Sequence, residues 1–173
     1  IGLLLAAGCA GGSKVESPLV KESGVKTLVN LHPAANGRLY SANFQDTGFI
    51  PLGTDVTVTK VTDKRLYFTV NSTKQDYVYL LHKTLTEPWE QHLNKIFGTN
   101  APDTSGMSAV DQKGIKEGRA LVGMTKQGVI YAIGYPPTTP DYMNSDSWKY
   151  WRNHWATFTV DFQNGVVSQT PRY

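Results

Sequence analysis

The chain's only cysteine, Cys9, lies directly after a short apolar run, Leu4 to Gly8, that ends in small residues. Its thiol is a nucleophile that can carry a covalently attached group.

The run Leu4 to Cys9 resembles the lipobox of bacterial lipoproteins. The resemblance implies that Cys9 is a lipid attachment site and not a disulfide partner. A lipoprotein signal peptidase needs an apolar stretch that enters the membrane and residues as small as Ala7 and Gly8 in its site, and the thiol then carries diacylglycerol. On this interpretation residues 1–8 are the remnant of a signal peptide, and residues 9–24 form a lipidated tether whose small residues 11–13 make it flexible. The resemblance also implies the outer membrane, with a periplasm-facing anchor, because an aspartate in place of Ala10 is the usual signal for the inner membrane. A clipped ordinary signal peptide and the end of a core helix are the alternatives.

Composition excludes several classes of protein. The 173 residues have a formal net charge of +3, and basic and acidic residues are mixed along the chain. The longest Lys/Arg run is the pair Lys64-Arg65, whereas a nucleic-acid-binding surface needs clustered basic residues. After the initial apolar run, no stretch approaches the roughly 18 apolar residues of a membrane-spanning helix. No disulfide is expected, and the predicted cofactor set is empty apart from the covalent lipid on Cys9.

Residue types that serve as catalysts or metal ligands are scattered along the chain. The histidines lie far apart without the spacing of a metal site, so they are expected on the polar surface: His32, His82, His92 and His154. The serines lack a nucleophile-elbow pattern, and no glycine-rich phosphate loop is present. The sequence therefore predicts a protein that is not an enzyme, with no catalytic and no metal-binding residues.

Aromatic residues are concentrated between positions 142 and 155. Because strand alternation cannot place all of them on one face, Trp151 and Trp155 are expected to point away from the core. Exposed Trp and Tyr side chains often anchor interfaces. Alternatively, the helices or the N-terminal region cover the second face, or the aromatic rings stack on glycan sugars. The candidate partner-binding residues are Tyr142, Trp148, Tyr150, Trp151 and Trp155.

The segment 25–84 is predicted to be β-rich, because β-branched and polar residues alternate along it. A tight turn is expected at Thr62-Asp63-Lys64. The segment 49–56 resembles the diverging turn of bacterial Src-homology-type barrels, a resemblance that covers residues 25–81. We therefore expect a small antiparallel β-barrel or sheet. Its predicted strands are 25–31, 38–40, 54–62, 65–70 and 77–81.

A helix and a connecting loop are predicted over 85–107, followed by a second helix over 108–117. In the first helix, Thr86 is the expected N-cap, Pro88 fits the first turn, and Gly98 is the expected left-handed cap. The apolar face of that helix comprises Trp89, Leu93, Ile96 and Phe97.

The C-terminal pattern has the most explicit element boundaries. A helix is predicted to begin after Thr125 and to end at Gly134–Pro136, because a threonine can cap it and a proline cannot continue it. Strands are predicted over 146–152 and 155–162. The sequence Gln-Asn-Gly at 163–165 predicts a hairpin turn before a last strand. The apolar stripe of the helix comprises Val129, Ile130 and Ile133.

The order of these elements resembles the BamE/SmpA family of outer-membrane lipoproteins. The matching features run from Gly-Met-Thr at 123–125 through the helix and Gly-x-Pro to a Trp-x-Tyr strand, a Phe-rich strand and an Asn-Gly turn. They lie within residues 115–168. The resemblance implies two helices on a three-stranded antiparallel sheet for a domain over 108–173, and β-lactamase-inhibitor proteins are similar in fold. Gly128 inside the helix and the long preceding β-rich region depart from the family pattern.

The expected fold class is α+β, with the β-rich region before the two-helix and three-strand domain; the packing of the two halves is left open. The resemblance implies a non-catalytic envelope protein with protein partners, in the best-known member the outer-membrane β-barrel assembly machine. The predicted function is a lipid-anchored adaptor or scaffold in outer-membrane protein assembly or envelope integrity. Two alternatives are a peptidoglycan-binding module and an inhibitor of an envelope enzyme.

Overall fold

The computed structural model describes residues 13–137, 141–169 and 171. Cys9 and the predicted signal remnant lie outside the described residues. The fold is α+β, as expected, with three separate sheets and four α-helices among the described residues. Within this part of the chain no helix is both long and apolar enough to cross a membrane.

The largest sheet has four strands, which are β2 Arg38–Tyr40, β3 Val56–Val61, β4 Arg65–Val70 and β5 Asp76–Leu80. Their order across the sheet is β2-β5-β4-β3. Alternation places one side of the β3–β4 hairpin in the core, and Thr62 closes its turn by accepting a hydrogen bond from the Arg65 backbone N–H at 2.9 Å. A bulge between Val58 and Lys60 changes the register, so that Val61 also points inward.

One pairing differs from the antiparallel prediction, because β2 runs parallel to β5. The β-rich region therefore forms an open mixed sheet and not a closed antiparallel barrel. The outer edge of β3 pairs with preceding chain: the Val56 N–H donates to the Val25 carbonyl at 2.9 Å. Strand direction depends on how the chain crosses the core between β2 and β5, which alternation along a single strand does not report.

The predicted tether is shorter than expected, because the chain is packed on the sheet from Ser13 onward. The Asp63 N–H donates to the Ser13 carbonyl at 3.2 Å, and the Val15 N–H donates to the Val61 carbonyl at 3.1 Å. A short helix, α1 (Pro18–Lys21), follows and buries Leu19. The range 9–24 is thus partly folded structure: apolar burial and pairing with an open strand edge hold its described part.

The predicted first strand over 25–31 is broken into shorter pairings. Only β1 (Lys26–Thr27) is a strand, and it pairs with β6 (Phe97–Gly98), while Leu31 pairs singly with Ile50. The residues between Thr27 and Leu31 make backbone hydrogen bonds to several elements instead of to one neighbouring strand.

The first long helix, α2 (Trp89–Ile96), follows the prediction in its middle and departs from it at both ends. Thr86 does not cap it, since Pro88 occupies the N-cap position and no side chain caps the helix. Gly98 is not a left-handed cap. The physical reason is that Phe97 adopts extended backbone and packs against Phe68, with ring centroids 5.2 Å apart.

The C-terminal half contains the predicted two helices and three antiparallel strands. Ser108 and Thr125 cap the two helices by accepting from the N–H of Asp111 and of Gly128. The hairpin turn has positive φ at Asn164 and Gly165, as a tight two-residue turn requires. The elements are α3 Ala109–Glu117, α4 Lys126–Ile133, a 3₁₀ turn Tyr142–Asn144, β7 Ser147–Trp151, β8 Thr157–Gln163 and β9 Val166–Val167.

The glycine inside α4 has a structural reason. A β-carbon on Gly128 would overlap Oδ1 of Asp111, a carboxylate that is only 1% exposed. That oxygen accepts from the Thr125 N–H at 2.8 Å, and Oδ2 accepts from the Ser108 hydroxyl at 2.8 Å. One carboxylate thus joins the start of α3 to the start of α4. Gly128 departs from the helix-forming residue expected there because the carboxylate occupies its space.

The two halves share one continuous core. Buried apolar residues from Leu19 in the N-terminal segment to Val167 in the last strand form a single packed cluster. The helices α2, α3 and α4 lie within the same cluster, so apolar burial stabilises both halves together.

Candidate functional site

A buried asparagine fastens the two halves together. Asn30 is 2% exposed; its side-chain amide donates to the carbonyls of Ile115 at 2.6 Å and Ala132 at 3.0 Å. Its Oδ1 accepts from the Leu52 N–H at 2.7 Å, and its backbone N–H donates to the Tyr131 carbonyl at 2.9 Å. Its side chain therefore bridges α3, α4 and the loop before β3.

Two more amides from the N-terminal half satisfy the C-terminal end of α4. Asn43 donates to the carbonyls of Ile133 at 2.8 Å and Tyr135 at 2.9 Å, and Gln45 donates to Ile133 at 3.0 Å. The last carbonyls of a helix have no partners within the helix. Here the other half of the protein supplies them, which fixes the chain from Ile133 to Tyr135 against the loop after β2.

Beside this junction lies a chain of bonded polar groups. The Tyr79 hydroxyl lies 2.9 Å from Nε2 of His92, and Nδ1 of His92 lies 2.9 Å from a carboxylate oxygen of Glu87. The other Glu87 oxygen accepts from the ammonium of Lys95. Both histidine nitrogens and both carboxylate oxygens are thus engaged.

Burial and these bonds set the charge states in the chain. Burial lowers the pKa of His92, and the bond and charge of Glu87 offset only part of that effect. Burial acts to raise the pKa of Glu87, but bonds from Lys95 and His92 outweigh it and leave the pKa below its usual value. Burial, together with the Glu87 charge, raises the pKa of Tyr79. The stable arrangement is a neutral tyrosine and histidine beside an ionised carboxylate and ammonium.

The charged end of this chain lines a groove of about 200 Å³. Leu85, Tyr135 and Tyr142 are among its lining residues. Lys95 Nζ lies 5.3 Å from the centroid of the Tyr135 ring. Burial, with smaller effects from neighbouring tyrosines and Glu87, raises the pKa of Tyr135 to about 12. We call this the junction groove. It offers apolar rings and an ion pair on one rigid surface.

The groups in the junction groove are better arranged for binding than for chemistry. His92 is 4% exposed and its Nε2 lies against the hydroxyl of the buried Tyr79, so little of the imidazole faces a molecule in the groove, and Glu87 is ionised and already paired. In the parts of the chain that the structure describes, no three His, Cys, Asp or Glu side chains are grouped as a metal site would need.

The prediction of surface-exposed partner-binding residues is wrong for two of the five. Trp148 and Tyr150 are each 0% exposed. Strand alternation turns both toward the core, where the Trp148 indole N–H donates to the Tyr142 carbonyl at 2.6 Å and the Tyr150 hydroxyl donates to the Gly134 carbonyl at 2.9 Å. Their side chains position the loop after α4 and cannot contact a partner.

The other three lie apart from one another. Tyr142 is half-buried beside the junction groove, edge-on to Tyr135 at 5.8 Å. Trp151 is half-buried on the opposite face of β7, where its ring lies edge-on to that of Phe44 with centroids 6.4 Å apart. The indole N–H of Trp151 is buried and has no hydrogen-bond partner among the described residues. Trp155 is 94% exposed at the tip of the β7–β8 loop. The predicted aromatic surface is therefore three separate environments.

The residues that build the groove and its junction were not predicted from the sequence. The expectation of surface histidines is wrong for His92, which is 4% exposed, and His32 is also largely covered. A signal was present for His92, because it is adjacent to Leu93 and one helical turn after Trp89, on the buried face of α2. Asn30 and Asn43 carried no such signal, since their partners are far away in the sequence.

In comparisons with known proteins, no family model matches the sequence, and neither a curated protein nor a solved structure matches the chain.

The suppressed protonation of His92 leads to a pH prediction. Burial lowers the pKa of His32, His82 and His92 in the folded protein. In the unfolded chain a histidine titrates near 6.5, so below that pH the unfolded state binds more protons. The unfolding free energy should therefore fall as the pH is lowered from about 7 to 5.

Urea unfolding at a series of pH values measures this slope. The variant His92→Asn removes one of the three histidines. As the pH is lowered, the unfolding free energy of this variant should decline less steeply than the unfolding free energy of the parent protein. Equal slopes for variant and parent would show that His92 titrates alike in the folded and unfolded states.

Proposed function

We propose that this protein is a lipid-anchored envelope adaptor whose junction groove holds an extended segment of a protein partner. One observation carries the proposal. The polar groups that line the groove are bonded to one another, and amides from the other half of the chain hold its rim. A groove fixed in this way is preorganised for binding and loses little conformational entropy when occupied.

The proposed function includes a cellular location and a relation to a protein family. Cys9 carries the lipid, and the anchor holds the body on the periplasmic side of the outer membrane. The order of α3, α4 and the sheet β7-β8-β9 supports a relation to the BamE/SmpA family. On that basis the partner belongs to the machinery that assembles outer-membrane proteins.

Site-specific crosslinking tests the adaptor function. A photo-reactive residue replaces Leu85, which lies half-exposed on the groove wall, and in a matched strain it replaces Lys113, which is exposed on α3. We expect crosslinks from position 85 to an outer-membrane assembly component, and none to that component from position 113. The same products from both positions, or from neither, would refute the groove as the partner site.

The peptidoglycan alternative makes a different prediction, and the exposure of Trp155 is the observation in its favour. Sedimentation with purified peptidoglycan separates the two functions. An adaptor stays in the supernatant, whereas a wall-binding module pellets and should lose that property in the Trp155→Ala variant.

A further inference from the structure

The structure limits where a lipid on Cys9 can lie. Ser13 is hydrogen-bonded to Asp63 in the β3–β4 turn, and Lys14 pairs with Thr62 of the same turn. Cys9 lies four residues before Ser13. Four residues of fully extended chain span at most about 14 Å. On the proposed lipid attachment, on which this inference rests, the β3–β4 turn is therefore held within about 14 Å of the membrane surface.

Two other strands, β5 and β2, end beside this turn. The Leu81 N–H donates to the Lys64 carbonyl at 2.9 Å, so the end of β5 adjoins the turn. Tyr40, the last residue of β2, pairs with Leu80. Since neighbouring strands are about 4.8 Å apart, the four strand ends form one edge roughly 15 Å wide.

The β7–β8 loop extends this edge and carries the exposed tryptophan. The ring of His154 lies 5.8 Å from the Tyr40 ring, which places the loop next to the end of β2. The loop is closed by the Arg152 N–H, which donates to the Ala156 carbonyl at 2.8 Å. Asn153 Oδ1 accepts from the N–H groups of Trp155 and Ala156 at 2.8 and 3.0 Å. The indole of Trp155 is therefore presented to solvent by an ordered turn.

Five cations lie along this edge. Its carboxylates are Asp63, which is exposed, and Asp46, which is half-buried beneath the loop. Glu16 and Glu90 flank it on the side of α2, where the Trp89 indole N–H donates to the Thr62 carbonyl at 3.0 Å. In the described parts of the chain, none of the ion pairs uses a cation of this edge. The cations are Lys14, Lys64, Arg65, Lys83 and Arg152.

We propose that this edge of the sheet rests on an anionic phospholipid surface, with Trp155 inserted at the level of the headgroups. We call it the membrane edge, comprising the five cations and Trp155. Tryptophan favours the membrane–water interface, and each lysine or arginine near an anionic surface adds to binding. The protein surface thus supplies a second contact beside the lipid, and the length of chain before Ser13 brings the two to the same place.

The test measures vesicle binding by the full chain carrying Cys9→Ser, which cannot be acylated. Vesicles of phosphatidylethanolamine and cardiolipin are compared with vesicles of phosphatidylcholine alone by co-sedimentation. We expect binding to the anionic vesicles only, and its loss as salt is raised. Reversing two cations of the membrane edge, Lys64→Glu with Lys83→Glu, should weaken binding by about tenfold or more.

The matched control reverses two exposed cations of α3, Lys113→Glu with Lys116→Glu, and gives the same change in net charge. It should keep more affinity than the membrane-edge pair. If both pairs of substitutions weaken vesicle binding equally, only the net charge of the protein determines binding. If neither pair weakens binding, another segment of the chain contacts the vesicle. Either result overturns the proposal.

Fluorescence reports the insertion of Trp155 separately. Trp148 is buried and Trp89 and Trp151 are half-buried, so the blue shift on adding anionic vesicles should come from Trp155. We expect the shift in the Cys9→Ser chain and its disappearance when Trp155→Phe is added. A shift that persists without Trp155 would contradict the inference.

Incorporation of labelled palmitate in cells tests Cys9 independently. If no palmitate is incorporated and the Cys9→Ser protein still binds vesicles, the lipid anchor is refuted and the membrane edge is supported. If palmitate is incorporated but the Cys9→Ser protein does not bind anionic vesicles, the membrane edge is refuted and the anchor is supported.

Discussion

Replacing Gly128 by alanine is expected to destabilise the protein by about 3 kcal/mol or more, although alanine is the better helix former by about 1 kcal/mol. The new β-carbon would occupy the position of the Asp111 carboxylate. That carboxylate is buried and accepts hydrogen bonds from Ser108 and Thr125. Moving it breaks these bonds and leaves a buried charge with fewer partners, which costs more than the helix propensity returns.

Urea unfolding of the purified variant measures the loss. The matched control is Gly106→Ala, because nothing lies within 4 Å of a β-carbon there; it should change stability by less than about 1 kcal/mol. A double variant that adds Asp111→Ala should lose less than the sum of the two single changes, since the overlap is then removed. Strict additivity would show that Asp111 is not what excludes a side chain at Gly128.

The substitution Asn30→Asp should destabilise the protein by about 3 kcal/mol or more at neutral pH. The amide of Asn30 donates to two carbonyls, so an ionised carboxylate of the same shape would place an oxygen against Ile115 and Ala132. Only a protonated aspartate could donate a hydrogen bond there. We therefore expect a raised pKa in the folded variant, with stability retained in acid and lost as the pH rises above the unfolded value of about 3.9.

The matched control for this change is Asn36→Asp. Asn36 is exposed, and its oxygen accepts from the Arg38 N–H at 3.2 Å, a role that a carboxylate keeps. The difference in unfolding free energy between the two variants should shrink as the pH is lowered from 7 to 4. A constant difference over that range would argue against a carboxyl group facing the two carbonyls.

Features that depend on neighbouring residues were predictable from the sequence. The cap at Thr125, the strand over 65–70 and the tight turn at Asn164 and Gly165 are confirmed. In each of these cases the determining contacts lie within a few residues, so the local pattern contains the required information.

Features that depend on distant residues were not predictable in the same way. Alternation placed Trp148 and Tyr150 on one face of a strand, but it could not show that α4 and its following loop cover that face completely. The end of α2 was misjudged because Phe97 is withdrawn from the helix by burial against Phe68. The junction groove needs both halves, so no single stretch of sequence indicates it.

The amide of Asn30 also has a consequence for the timing of folding. Its side-chain partners lie 85 and 102 residues further along the chain. Contacts of such long sequence separation form slowly, because a large loop must close before they contribute. The N-terminal segment therefore reaches its final hydrogen bonds only after the chain as far as Ala132 has emerged from the ribosome. Until then its strand edges are exposed, and this interval is when the nascent chain most needs protection from aggregation.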